Sequence, residues 1–390
     1  MKKLNILIVC DSVNNQIGGN FISPLRFAEM LKKRGHNVIF LASKYDPGDD
    51  ITYYNGIKIY RTKPLPLPSY GDFFKVAAPT KKEIDKIMKE EKIDIVHLMI
   101  PLLASIRSVK AAKDNNVKIV AHSHAQPENT FYNFPKFFRN EFLYSLEYKY
   151  LTWLYKKAEV VICPSKFSER MLKRYCPDLN TFVISNGVDL SRFKQTNSDK
   201  FVKKFKISKE FKNILFVGRL NPEKDIGTLI KSVPFILKKE KNVRLYIVGG
   251  GFLRPELENL SKTLGVEKNV LFLGKLSDSE LVGAYNSCDL FVLPSLAELE
   301  GMVVLEAMAC KKPIIIANSA ASASVDFVQN NGFLFDPENE VDLTKKILKL
   351  LEDPKLMKQM SKNSYNLAKN YDINESINKL EGVYYNLLKK

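Results

Sequence analysis

Pro294-Ser295-Leu296-Ala297-Glu298-Leu299-Glu300-Gly301-Met302-Val303-Val304-Leu305-Glu306-Ala307-Met308-Ala309 is the stretch that decides how this 390-residue chain is read. A buried-type run, Leu290–Leu293, ends at Pro294, and a helical pattern starts near Gly301 and Met302. Strand, turn and helix in that order make half of a βα unit, with the turn at the carboxyl end of the strand. The first N–H groups of the helix have no helical partner and lie at the positive end of its dipole, so the turn is an anion site. Glu298 precedes the helix and Glu306 follows two turns along, so one can reach into the crevice above the strand ends while the other flanks it. Carboxylates suit a ligand made mostly of hydroxyl donors and acceptors, such as a sugar. The plain alternative for Glu306 is a solvated helix residue. Leu305, Ala307, Met308 and Ala309 make that helix mostly apolar, where a charge needs a reason.

Outward from this stretch, short apolar runs alternate with amphipathic helices along the whole chain. Strand-like runs are Ile6–Cys10, Val38–Ala42, Ile93–Leu98, Val117–His122, Val160–Cys163 and Phe182–Ser185, then Ile214–Val217, Leu245–Val248, Val270–Leu273, Leu290–Leu293 and Pro313–Ala317. Most are continuous and rich in Ile, Leu and Val, the mark of parallel strands covered on both faces. Helices lie between them, as at Phe21–Lys33, closed by Gly35. Two serial β/α sets, in a chain too long for one ordinary core, imply two doubly wound α/β domains. The boundary falls between Asn186-Gly187-Val188-Asp189 and Ile214, where the apolar period lapses. Asn55-Gly56 reads as a hairpin turn, and Pro64–Pro68 with Tyr70-Gly71 as a stiff surface loop.

Three further motifs stand at strand tips. In Phe216-Val217-Gly218-Arg219-Leu220-Asn221-Pro222-Glu223-Lys224 a strand breaks at Gly218 and a helix is expected from about Lys224. Arg219 forks two phosphate oxygens and Lys224 is a compact point charge, so together they suit a leaving diphosphate. Alone they would pass for surface cations; beside the glutamate stretch they do not. Gly249-Gly250-Gly251 and, after the first strand, Gly18-Gly19 allow close backbone approach, although a glycine run by itself also marks a tight βα turn. His122-Ser123-His124 carries two of the four histidines at the tip of a strand, where doubly wound sheets bind ligands. A His-x-His pair can chelate a metal, but no cysteine or Asp-rich cluster supports one.

Composition bounds the rest. With 45% hydrophobic and 26% charged residues the chain has an ordinary globular core, and it holds no run of roughly 20 apolar residues. Met1-Lys2-Lys3 followed by Leu4–Cys10 reads as a first buried strand and not as a signal peptide. The five cysteines are scattered and unpaired in spacing, which points to buried thiols in a reducing cytoplasm. The net charge of +17 implies an anionic partner or, equally, a lysine-rich surface with no such purpose.

These residues resemble glycosyltransferase family 4, a retaining group with the GT-B fold. The resemblance spans nearly the whole chain and rests on Gly18-Gly19, the histidine at a strand tip, Asn186-Gly187-Val188-Asp189, Gly218-Arg219-Leu220 with Lys224, and above all Glu298 and Glu306 with seven residues between. It implies two Rossmann-like domains facing across a cleft. Residues 1–190 would bind acceptor, 191–212 link, 213–372 bind the nucleotide-sugar, and 373–390 form a helix returning to the first domain. That helix has an apolar face of Ile377, Leu380, Val383, Tyr384, Leu387 and Leu388. Arg219 and Lys224 would clamp the donor diphosphate, and Glu306 would hold the ribose. Glu298 would touch the hydroxyls of the transferred sugar, and His124 would lie beside its reacting end. The backbone of Gly301, Met302 and Val303 would approach sugar and phosphates, with Gly18, Gly19 and Gly250 close to the donor. Such enzymes retain configuration, with the leaving phosphate accepting the acceptor's proton, and need no cofactor and no metal; the chain has no Asp-x-Asp. It departs from the family at Glu300, where an aromatic is common, and at Ala125, where Asp is common.

Phe131–Tyr144 and Tyr148–Lys157 interleave aromatics with Lys and Arg, as at a membrane interface. With the charge, this favours a lipid acceptor such as diacylglycerol, a UDP-glucose-type donor, and a cytoplasmic protein held peripherally on an anionic membrane face. The resemblance is to the diacylglycerol glucosyltransferase and phosphatidylinositol mannosyltransferase branch. Equally, Phe138, Phe142, Leu146, Tyr150 and Trp153 make a core-facing helix stripe. A soluble or polysaccharide acceptor with GDP-mannose or another donor, or a sugar-nucleotide 2-epimerase, are rival enzymes. A basic nucleic-acid-binding protein is the non-enzyme rival, but no reading motif accompanies the charge and no nucleic-acid partner is expected. The sequence specifies no oligomeric state.

Overall fold

A computed structural model describes residues 2–11, 13, 22–45, 48–66, 75–208 and 210–389. The chain divides into two compact units. The first comprises the described residues of 1–127, 140–185 and 374–390; the second comprises those of 128–139 and 186–373.

In the first unit ten strands are described: β1 Asn5–Val9, β2 Asn37–Ser43, β3 Ile51–Tyr54, β4 Ile57–Thr62, β5 Pro64–Pro66, β6 Lys75–Ala77, β7 Ile95–Leu98, β8 Lys118–His122, β9 Val160–Cys163 and β10 Thr181–Val183. Eight of them form one sheet in the order β10-β9-β8-β7-β1-β2-β4-β3. All neighbours are parallel except β3 and β4, which close on Asn55 (φ 47°) and Gly56 (φ 69°), a mirror-image turn that needs a left-handed backbone at both positions. Ile6, Leu7, Ile8 and Val9 are all buried, because helices cover both faces of a parallel sheet. The proline-rich stretch departs from the expected loop: Pro64–Pro66 pairs antiparallel with Lys75–Ala77, on a two-stranded ribbon whose edges tolerate the missing N–H.

The helix Ile373–Lys389 buries Ile377, Leu380, Val383 and Tyr384, with Leu387 half-buried and Leu388 exposed. Its Glu381 pairs with His36 Nε2 at 2.7 Å and with Arg34, the Tyr384 hydroxyl lies 2.6 Å from His97 Nδ1, and the Tyr385 hydroxyl donates to the Lys2 carbonyl at 2.7 Å.

The second unit contains β11 Lys212–Val217, β12 Val243–Val248, β13 Val270–Gly274, β14 Leu290–Leu293, β15 Ala297–Glu298, β16 Ile314–Ala317, β17 Ala321–Ser322 and β18 Gly332–Phe335. Its main sheet is parallel throughout, in the order β13-β12-β11-β14-β16-β18. β18 has no counterpart among the strands expected from the sequence. Residues 191–212 include the helix Asp199–Phe205, whose Phe201 is buried along with Ile207 in this unit's core. Helix starts follow the local chemistry. Ser277 and Glu280 form a reciprocal capping box, and the Asp353 carboxylate caps a helix with Pro354 at its first position.

Candidate functional site

In the second sheet the strand order reverses between β11 and β14, so the loops leaving those two strands diverge and open a crevice at their carboxyl ends. Both chemistry-bearing stretches of the sequence leave there. The Leu296 N–H donates to the Glu223 carbonyl at 2.8 Å, tying the two loops together. Lys224 Nζ lies 2.5 Å from Glu298 Oε1, with both side chains largely buried. Arg219 Nη2 lies 3.1 Å from Glu223 Oε1; the guanidinium is partly exposed, while Glu223 is fully buried and its Oε2 has no hydrogen-bond partner. Each cation therefore already faces a carboxylate. The helix expected from Lys224 begins two residues later, at Ile226. Lys224 closes a single 3-10 turn, and the left-handed Asp225 (φ 44°) separates the two.

Across the crevice, Gly301 (φ 93°) turns the chain into the helix Met302–Ala309. A Cβ on Gly301 would lie 2.1 Å from Ser324 Oγ, which itself donates to the Glu300 carbonyl at 3.1 Å. A side chain there would have to displace Ser324 and hold a left-handed backbone that glycine adopts freely. Glu306 is buried, and its Oε2 accepts from the Tyr285 hydroxyl at 2.9 Å, so the solvated-helix alternative is overturned. Met302 and Val303 occupy the first helical turn, and the Val303 carbonyl lies 3.2 Å from the same hydroxyl. Glu300, the departure from the family pattern, is buried and accepts from the Asn186 N–H at 3.1 Å and its side-chain amide at 2.7 Å. Sequence reasoning did not find Glu223, Tyr285 or the Glu300–Asn186 pair as part of the site.

The glycine run after β12 packs on the Gly218–Leu220 turn. A Cβ on Gly249 would lie 1.8 Å from the Gly218 carbonyl oxygen, and the Gly250 carbonyl accepts from the Leu220 N–H at 3.0 Å. In this structure Gly250 supports the loop that carries Arg219.

In the first unit, Gly18 and Gly19 lie outside the described residues. His124 is half-buried at the end of β8, 3.4 Å by its Nε2 from Ser23 Oγ. Its ring stacks on His122 (centroids 4.2 Å, 11°), which stacks on His97 (5.5 Å, 9°). Burial pushes His124 down to about 4 and His97 to about 3, and drives His122 well below the ordinary histidine range. The column is neutral at neutral pH. Among the described residues no group of three His, Cys, Asp or Glu is placed to hold a metal ion.

On the helix Glu141–Tyr155 the expected core-facing stripe is not the covered face. Its core face is Tyr148, Leu151, Leu154 and Tyr155. Phe142 (70% exposed), Leu146, Tyr150 and Trp153 (49%) form an exposed stripe, with Lys149 and Lys156 exposed beside it and Lys157 Nζ 4.4 Å from the Trp153 ring centre. The neighbouring helix Lys166–Tyr175 exposes Lys166, Arg170, Lys173 and Arg174. Among the described residues no helix is long and apolar enough to cross a membrane.

Two family models match the chain in succession, Glycosyltransferase Family 4 over residues 17–192 and Glycosyl transferases group 1 over residues 197–367. Sucrose-phosphate synthase from Thermosynechococcus elongatus shares the fold at a TM-score of 0.85, covering 99% of this chain and 100% of its own at 19% identity. HepE from Anabaena, solved with UDP and glucose, does so at 0.78, covering 98% and 100% at 20% identity. The alpha-monoglucosyldiacylglycerol synthase of Streptococcus pneumoniae is 25% identical over 318 residues, 80% of this chain and 70% of that one. The fold is GT-B, and the chain is a glycosyltransferase built of a family 4 domain followed by a group 1 domain.

Proposed function

We propose that this glycosyltransferase moves a hexose from a nucleoside-diphosphate sugar of the UDP-glucose type to a hydroxyl of a membrane lipid such as diacylglycerol, with retention and without a metal. The observation that carries the donor reading is the meeting of Lys224 with Glu298 at the reversal of the second sheet. A diphosphate entering there offers Lys224 and Arg219 a stronger anion than the carboxylates they face, and frees Glu298 to accept hydroxyl protons from the sugar. The helix beginning at Met302 presents unbonded N–H groups to the same anion. Glu306, held inward, takes the ribose hydroxyls. As the bond from C1 to the phosphate oxygen breaks, the charge growing on that oxygen is met by the two cations. The acceptor oxygen bonds to C1 on the same face, and its proton passes to the departing phosphate. His124, with a neutral imidazole, is suited to bonding a sugar hydroxyl.

HepE, a protein of the same fold, is solved with UDP and glucose and with UDP-glucose, which agrees with this donor. The diacylglycerol-directed relative and the exposed aromatic-basic helix favour a lipid acceptor on an anionic, cytoplasmic membrane face.

The test is nucleotide release from a panel of UDP-, GDP- and ADP-sugars, with and without anionic liposomes containing diacylglycerol, in the presence and absence of a chelator. Release from one donor should depend on lipid and ignore the chelator. Arg219→Ala should lower kcat by about 10²–10³-fold, the scale of losing one charge-stabilising group in a transition state. Glu306→Ala should act mainly on the donor KM. Release that follows soluble sugars instead of lipid discards the lipid acceptor, and unchanged activity in both variants discards the site.

A further inference from the structure

Tyr285 lies on the helix Asp278–Ser287 with its side chain wholly buried. Its ring packs edge-on to Phe193 (6.0 Å, 76°) and tilted against Phe291 (6.0 Å, 51°), which leaves little freedom for its hydroxyl. That hydroxyl lies 2.9 Å from Glu306 Oε2 and 3.2 Å from the Val303 carbonyl oxygen. A hydroxyl has one proton, and the carboxylate is the closer acceptor and the one that gains more from it. A glutamate side chain has three rotatable bonds and adopts several rotamers unless something selects one. The fixed phenol selects one here.

We propose that Tyr285 is a positioning residue for the nucleotide, orienting the Glu306 carboxylate toward the ribose hydroxyls so that the site distinguishes ribonucleotides from deoxyribonucleotides. This inference rests on Glu306 as the ribose ligand in the function proposed above. Substitution by phenylalanine keeps the ring and its packing and deletes only the hydroxyl. The carboxylate then loses its orienting donor, and a ligand with both ribose hydroxyls loses most.

Calorimetric titration of UDP, GDP and ADP identifies the diphosphate that the wild type binds. That nucleotide and its 2′-deoxy and 3′-deoxy forms are then titrated into wild type, Tyr285→Phe, Glu306→Ala and the double variant. Tyr285→Phe should weaken the ribonucleotide about tenfold, the usual worth of a hydrogen bond to a charged group, and at least one deoxy form by less than about twofold. In the Glu306→Ala background the further change should vanish. With the sugar donor, KM should rise while kcat stays within about twofold, the signature of lost ground-state binding. Equal weakening of the ribonucleotide and both deoxy forms, or none of any, overturns the role of Tyr285 and leaves the donor reading standing. A wild type that binds no nucleotide overturns both.

Discussion

His122 has two ring nitrogens and neither has a hydrogen-bond partner, although the ring is wholly buried between Phe27, His97 and His124. The Tyr155 hydroxyl reaches only its backbone carbonyl. The imidazole is used as an apolar plate, so phenylalanine should replace it with little loss at high pH. The two differ in acid. The native state holds His122 neutral well below the ordinary histidine range, whereas the unfolded chain takes up a proton near pH 6.5, so the wild type loses stability as pH falls through that value. His122→Phe lacks this loss, and its stability relative to wild type should rise by about 2 kcal/mol between pH 7.5 and 5. Urea unfolding at the two pH values measures it, and parallel curves would refute it. Asp11 pulls the other way, since burial raises its carboxyl to about 7, but it is common to both proteins and cancels in the difference. The same scale shows what a sequence conceals. Glu298 and Glu306 were readable because their spacing falls within one turn and one helix. Tyr285 is 21 residues from Glu306, and Asn186 is 114 from Glu300, so only the fold brings these partners together.

Runs buried on both faces were easy to read as strands, and β9 and β14 begin and end where their apolar runs do. β18 escaped because Gly332-Phe333-Leu334-Phe335 is four residues long, starts with glycine, and follows an Asn-Asn turn that reads as loop. The stripe on Glu141–Tyr155 escaped for a different reason. Helical spacing shows that Phe142, Leu146, Tyr150 and Trp153 share a face, but Tyr148, Leu151, Leu154 and Tyr155 share another, and periodicity alone does not say which is covered. The turn into Met302–Ala309 is the element whose backbone is most constrained. Gly301→Ala places a methyl carbon 2.1 Å from Ser324 Oγ at a φ of 93°, so the Ser324 side chain or the turn must shift and the backbone is strained. The expected outcome is a loss of about 2–4 kcal/mol in stability together with weakened nucleotide binding. Thermal unfolding with and without nucleotide checks this, and a variant with wild-type values for both would show the turn to be more tolerant than its geometry implies. Ser324→Ala in addition should recover part of the loss by vacating the space.

At the scale of the molecule, two doubly wound units were foreseeable from the alternation of runs, while sequence alone could not show that some of the cations behind the net charge of +17 stand exposed beside exposed aromatic rings. If that face meets an anionic bilayer, co-sedimentation with phosphatidylglycerol vesicles should fall steeply with added salt. Replacing Phe142 and Trp153 together by alanine should weaken it about tenfold or more through lost apolar burial, without changing the affinity for nucleotide. Salt dependence that survives the double substitution undiminished in affinity would place membrane contact elsewhere. The helix Ile373–Lys389 has a consequence of another kind. Its Tyr384 meets His97 across 287 residues of chain, and its Ile377, Leu380 and Val383 are buried in the first unit. During synthesis, the ribosome makes the whole second unit before this helix emerges. The first unit is therefore born with an open groove, and its maturation waits on translation of everything that follows, leaving chaperones a long interval in which to guard it.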